Sequence, residues 1–193
     1  MDTMNDNDVI TINTNSPTKV VEEVVSILPI LAEGHPKLSR IMPDFDITQI
    51  MQPGIQKFIR QLQKTQAAYS GLGLSANQVG VGFRVFVIGD GIVCFNPKIV
   101  ATQGEEIRKP EGCLSFPGLT LNVPRYGSID VEYYDEKANL VTTHFEGLTA
   151  QVYQHELDHM NGVVYTQHVK PVALQMARKR QAKVIKKHVR RNK

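Results

Sequence analysis

Apolar residues along the chain follow two different spacings. Between Pro53 and Tyr69, Ile55, Phe58, Ile59 and Leu62 recur in steps of three and four. Such steps place side chains on one face of a helix, so a helix is predicted over 53–69. Pro53 suits the first turn, where its missing N–H is no loss. Gly71 and Gly73 end the segment. Short β-branched and aromatic runs follow at 83–88, 92–96, 99–102, 120–123, 128–134 and 140–145, and each predicts a strand. Asp135 to Asn139 is a polar turn that pairs the last two as a hairpin. A second helix is predicted over 148–160, closed by Asn161-Gly162. Pro171 opens a third, with Leu174, Ala177, Val184, Ile185 and Val189 roughly on one side.

Outside these elements the pattern weakens. Residues 1–18 are rich in Asp, Asn and Thr and predict a poorly ordered acidic extension. The run from Val20 to Ile30 is apolar enough to pack, but its periodicity does not fix its type. Residues 33–46 carry Gly34, Pro36 and Pro43 and read as loop. The order helix, strands, helix, tail helix predicts an α+β domain with mainly antiparallel pairing.

Composition narrows the class. At 193 residues and 41% hydrophobic, the chain can bury a core without disulfides. Its two cysteines cannot form a disulfide framework, so a reducing, cytoplasmic setting is expected. No apolar run approaches the ~20 residues that cross a bilayer, and the start, MDTMNDND, is unlike a secretory signal. The net charge of +3 hides an asymmetry: residues 172–193 hold nine Lys or Arg and no acid, leaving 13 basic against 19 acidic residues elsewhere. The body is mildly acidic and the tail helix strongly basic.

Gln154-His155-Glu156-Leu157-Asp158-His159 fits H-E-x-x-H. Residues four apart stack on one helix face, so His155 and His159 can address one ion. Glu156 then stands beside a water on that ion, as a metal hydrolase requires. Two surface histidines on an acidic helix are the bland alternative. A catalytic site wants a third protein ligand and an open position. Cys113 is the candidate, 42 residues upstream in a tight loop bounded by Gly112 and Pro117-Gly118. Cys94, inside an apolar run, reads instead as a small buried core residue.

Gly71-Leu72-Gly73-Leu74-Ser75-Ala76 satisfies G-x-G-x-x-G/A, with Asp90 further on. A dinucleotide site needs strand, glycines, then helix, and here the glycines follow a helix and precede a strand. That reading is set aside for want of a helix N-terminus to receive a pyrophosphate. Glycines also let a peptide approach the backbone closely, and Gln78 follows with an amide able to serve a developing oxyanion. An ordinary surface glutamine is the alternative for Gln78.

Three segments in order resemble the peptide deformylase family: Gly71 to Gln78, Glu111-Gly112-Cys113-Leu114-Ser115, and Gln154 to His159. The likeness runs from about Ile30 to Val169. One departure is Ser75, where the family usually has alanine; it adds only a hydroxyl, and tolerance is expected. The resemblance implies an α+β fold around a central helix that carries both histidines. It implies a catalytic domain over 19–170, and removal of the formyl group from N-formylmethionine on new polypeptides. It implies one divalent metal ion per chain, most often Fe(II), with Zn, Ni or Co also able to occupy the site. Cys113, His155 and His159 would hold that ion. Glu156 would be the base and acid, and Gln78 with the Leu114 backbone N–H would stabilise the oxyanion.

Leu148 and Val152 share the face of His155 by helical spacing. With Leu72 and Gly73 they are candidates to line a slot for a methionine side chain, although core packing is an equal reading for both. Arg125, in Val123-Pro124-Arg125, matches a family arginine thought to meet the peptide further along; a solvated arginine is the alternative. The basic helix over 171–193 suits an RNA-rich partner, and the resemblance points to the ribosome. Two rivals remain. A metallopeptidase could use the same helix, but His168 is the only nearby further ligand and does not fit H-E-x-x-H-x-x-G-x-x-H. A non-catalytic ribosome- or RNA-binding relative would be expected to lack a ligand or Glu156, and all are present.

Overall fold

The protein is described by a computed structural model covering residues 25–191. The expected polar extension over 1–18 and the first part of the 20–30 run lie outside the described residues, as do the Val184 and Val189 side chains.

The first helix, α1, is Pro53–Ala68, matching the three-and-four spacing. Five strands follow: β1 Gly73–Ser75, β2 Val85–Ile88, β3 Ile92–Glu111, β4 Leu121–Tyr134 and β5 Leu140–Glu146. They form one sheet in chain order, and every neighbouring pair is antiparallel. The second helix, α2, is Gly147–Met160, and the third, α3, is Pro171–Arg191. The architecture is therefore α+β with an antiparallel sheet, as expected.

Helices cover both faces of β2, which explains why all four of its residues are buried. Val85 and Val87 face one way, into a cluster with Ile59 and Leu62 of α1 and with Leu74 and Phe95. Phe86 and Ile88 face the other way, with Ile129 and Val131 of β4 and Ala150, Tyr153 and Met160 of α2. The period-2 alternation of a strand thus builds two cores from one segment. Cys94 is fully buried in the second of these, as its apolar run predicted.

A third cluster joins Leu38, Phe116, Leu119, Leu121, Val123, Tyr165 and Ala177, with Leu174 packed beside it. The first turns of α3 therefore lie against the loop that follows Cys113. Gln181 donates to the Pro117 carbonyl at 2.7 Å, and Arg178 pairs with Glu33. Ile185, expected on the apolar side, is 51% exposed.

Two expectations are corrected. The runs at 92–96 and 99–102 are parts of one long strand, β3, and those at 120–123 and 128–134 are parts of β4. Proline breaks neither strand, for a physical reason. Beyond Lys98, β3 pairs only with β4, and before Ser128, β4 pairs only with β3. Proline lacks an N–H, but on a strand with one open edge it need not donate there. Pro97 sits at a register shift, between Phe95 and Lys98. Residues 33–46 are mostly irregular as expected, apart from a 3-10 turn at Pro36–Ser39.

Candidate metal and active site

The glycine segment is short and held on several sides. Gly71 and Gly73 lead into β1, and Ala76–Val79 forms a 3-10 turn rather than an α-helix. No helix N-terminus follows the glycines to receive a pyrophosphate, so the dinucleotide reading stays excluded. The glycines instead permit close packing. A Cβ on Gly71 would lie 2.8 Å from Leu114 Cδ1, and one on Gly73 would lie 2.5 Å from Glu156 Oε1.

Helix α2 presents His155, Glu156 and His159, all nearly or fully buried. Its terminal carbonyls are satisfied from outside the helix. Met160 O accepts from Met42 N at 2.9 Å and from Arg84 at 3.1 Å, and His159 O accepts from Asn77 Nδ2 at 2.8 Å. Gln154 pins the helix to β4: its amide accepts from Tyr126 N at 3.0 Å and donates to Tyr126 O at 2.8 Å. Cys113 arrives on a turn closed by Phe116 N donating to Cys113 O at 2.9 Å.

The ligand atoms of Cys113, His155 and His159 lie within 4.8 Å of one another. Cys113 Sγ is 3.3 Å from His159 Nε2. Donors around a tetrahedral ion stand ~3.3–3.6 Å apart, so one thiolate and two imidazoles here suit a metal of borderline softness. His155 Nδ1 meets Glu111 Oε1 at 2.5 Å, which commits that nitrogen and leaves Nε2 for an ion. The residues present therefore fit a metal ion.

Glu111 is the residue that sequence reasoning missed. It lies within a quoted motif, but nothing in the pattern assigned it a task. Arg125 clamps it with two bonds, at 3.1 and 2.9 Å, and also meets Asp158 at 2.6 Å. His168 closes the chain on Asp158 at 2.7 Å. Burial alone would raise the Glu111 carboxyl, but hydrogen bonds from His155 and Arg125 bring it down to about 2. Burial likewise disfavours a charged His155, yet its contacts with Cys113 and Glu111 push it well above the ordinary value. His159 is pushed down, by burial and by its neighbour His155.

This geometry corrects the expectation for Arg125. It is 6% exposed, spent on two carboxylates, and does not line the cleft. On β4 it falls in phase with the buried Leu121 and Val123, a parity that could have placed it inward from the sequence.

The other expected residues converge. A cleft of about 570 Å³ is lined by Leu72, Gly73, Gln78, Cys113, Leu114, Leu148, Val152, His155 and Glu156, among others. Leu72 and Leu148 are more than half exposed there, free of the core role that competed for Leu148. Gln78 is buried; its Nε2 is 3.4 Å from Cys113 Sγ and 3.2 Å from Ser115 Oγ. Burial pushes Glu156 up to about 7, against the pull of His155 and of a hydrogen bond from Ser75. Glu156 Oε2 and His159 Nδ1 have no hydrogen-bond partner among the described residues. A buried carboxylate oxygen left open beside a ligand cluster is suited to receive a proton.

Comparison with known proteins agrees with the site. Residues 27–175 match the family model for polypeptide deformylase. Over 171 residues the chain is 34% identical to "Peptide deformylase 2" of Xanthomonas campestris pv. campestris, covering 86% of this chain and 99% of that protein. The crystal structure of a peptide deformylase from Legionella pneumophila superposes with a TM-score of 0.75 at 34% identity, covering 86% of this chain and 99% of that one. A peptide deformylase from Synechococcus elongatus, in complex with actinonin, superposes with a TM-score of 0.75 at 32% identity, covering 80% of this chain and 86% of that one. No described helix is long and apolar enough to cross a membrane. A cysteine and an H-E-x-x-H helix meeting at one cleft, in a sequence matched over most of its length, lead to one assignment: the chain belongs to the polypeptide deformylase family.

Proposed function

We propose that the protein hydrolyses the N-formyl group from N-formylmethionine at the start of newly made polypeptides, releasing formate. The observation that carries this is the buried Glu156 carboxylate lining one open cleft with Cys113 and His155, whose ligand atoms cluster with that of His159 behind them. Cys113, His155 and His159 would hold one divalent metal ion, with Fe(II) favoured and Zn, Ni or Co compatible with the donor set. When bound, the metal would polarise the formyl carbonyl and make a water acidic enough to attack at neutral pH. Glu156 takes the proton of the attacking water and returns it to the departing amine. The Gln78 amide and the Leu114 backbone N–H donate to the oxygen that gains charge. Glu111 fixes the tautomer and ring plane of His155, and Arg125 holds Glu111. Leu72, Gly73, Leu148 and Val152 form the apolar side of the cleft that receives the methionine side chain.

The metallopeptidase reading gains no support from the geometry. His168, its only further ligand candidate, is bonded to Asp158 rather than aimed at the ligand cluster. The basic tail that contains α3 is assigned a docking role at the ribosome, supported by the nine Lys and Arg over 172–193. Formate release from a short N-formylmethionyl peptide tests the reaction, using protein loaded with nickel or kept from oxygen. A Glu156→Gln variant run alongside should hold the metal and lose turnover. An active Glu156→Gln enzyme would remove Glu156 as the base.

A further inference from the structure

Ser75, at the end of the glycine segment, is fully buried beside Asn77 and Gln78. Its hydroxyl lies 2.9 Å from Gln78 Oε1 and 3.0 Å from Asn77 Oδ1. Both acceptors are identified by what their amides do elsewhere. Asn77 Nδ2 donates to His159 O at 2.8 Å, so the Asn77 oxygen must face Ser75. Gln78 Oε1 already accepts the Ser75 backbone N–H at 3.0 Å, so the Gln78 NH2 must face the Cys113 loop. A hydroxyl has one proton, shared among or alternating across these two oxygens and the Glu156 carboxylate, which it also reaches.

The consequence is a continuous hydrogen-bonded link. It runs from the last turn of α2 at His159, through Asn77 and Ser75, to Gln78 and the Cys113 loop. An alanine at 75 would cut it in the middle and leave Gln78 Oε1 with the backbone donor alone. A side-chain amide with one donor on its oxygen turns about its last torsion more easily than one with two.

We propose that Ser75 is a positioning residue: its hydroxyl locks the Gln78 amide to the histidine-bearing helix, so that the NH2 group stays aimed at the reacting carbonyl. This rests on the deformylase reading for its kinetic consequence, but the locking itself is a property of the folded chain. Ser75 touches neither metal nor substrate in this role and acts through Gln78.

Ser75→Ala is the test, because the smaller side chain leaves no clash. Full-length, nickel-loaded enzyme should show kcat lowered about 3- to 10-fold, the worth of one neutral hydrogen bond. KM and metal content should stay within twofold. The same change made in a Gln78→Ala background should have no further effect on kcat, because the partner is already gone. A second readout needs no turnover. In the zinc-loaded protein, the Gln78 side-chain amide gives the proton–nitrogen pair that disappears in Gln78→Ala. In Ser75→Ala that pair should broaden and exchange with solvent several-fold faster. An amide signal indifferent to Ser75→Ala would overturn the proposal, even if formate release were never observed. Equal losses with and without Gln78 would also overturn it, since the hydroxyl would then be acting on Glu156.

Discussion

Replacing Gly73 by alanine adds one methyl group at the point where the glycine segment meets the base. The new Cβ would lie 2.5 Å from Glu156 Oε1, 2.8 Å from Val152 Cγ1 and 2.9 Å from Glu156 Cδ. Ordinary contact begins near 3.4 Å, so the carboxylate has to retreat by about 0.9 Å. Glu156 is 3% exposed, so it cannot swing into solvent to do so. Gly73 does not have a positive φ, so alanine meets no backbone penalty and the clash acts alone. Overpacking of this kind costs about 1–3 kcal/mol of stability. The loss in rate should be larger, since a misplacement near 1 Å lowers turnover by about 100-fold. The assay is kcat for formate release with metal content measured in the same preparation, and a urea midpoint for stability. Gly54→Ala is the control: it has open space around the new Cβ and should leave kcat unchanged while holding or raising stability. A Gly73→Ala enzyme that keeps its metal and turns over within twofold of the parent would refute the placement of Glu156.

The charge network and the cleft give three further expectations. Arg125→Met leaves the buried Glu111 and the partly buried Asp158 without their shared cation, and should cost about 3–5 kcal/mol in a denaturation titration; an effect on KM alone would restore a substrate role for Arg125. Glu111 is held near 2 in the folded protein, below its unfolded value, so the unfolded state binds more protons in between. Its contribution is present above about pH 4.5 and is lost as pH falls through about 2. The metal-free parent should therefore lose about 3 kcal/mol more than Glu111→Gln over that window, read as the difference in acid-unfolding slopes. Leu148→Ala trims an exposed wall of the cleft, so stability should move by less than about 0.5 kcal/mol while KM for an N-formylmethionyl peptide rises several-fold; unchanged KM would remove Leu148 from the methionine slot.

What could be read from the sequence was short-range. His155 and His159 are one helical step of four apart, so their convergence needed only the helix. Cys113 was reachable because a third ligand was missing and a tight loop offered one. The length of β3 was hidden because residues 103–109 are mostly exposed and polar, with Ile107 the single large apolar side chain among them, and give no alternation to read. Glu111 and Arg125 were harder, since their meaning lies in a contact across the sheet and onto α2. A charged residue in phase with Leu121 and Val123 was the one local sign that Arg125 turns inward. Ser75 could be noticed as a departure, but its place between Asn77 and Gln78 depends on the turn at Ala76–Val79 that no periodicity announced.

The most direct test of the account is the product of the reaction. A metal-loaded preparation, verified to hold one ion per chain, is given an N-formylmethionyl peptide, and formate and the peptide's mass are followed together. The account predicts one formate per peptide, a free amino terminus and an intact chain. Cleavage at an internal peptide bond, or no formate from protein shown to carry its metal, would contradict it.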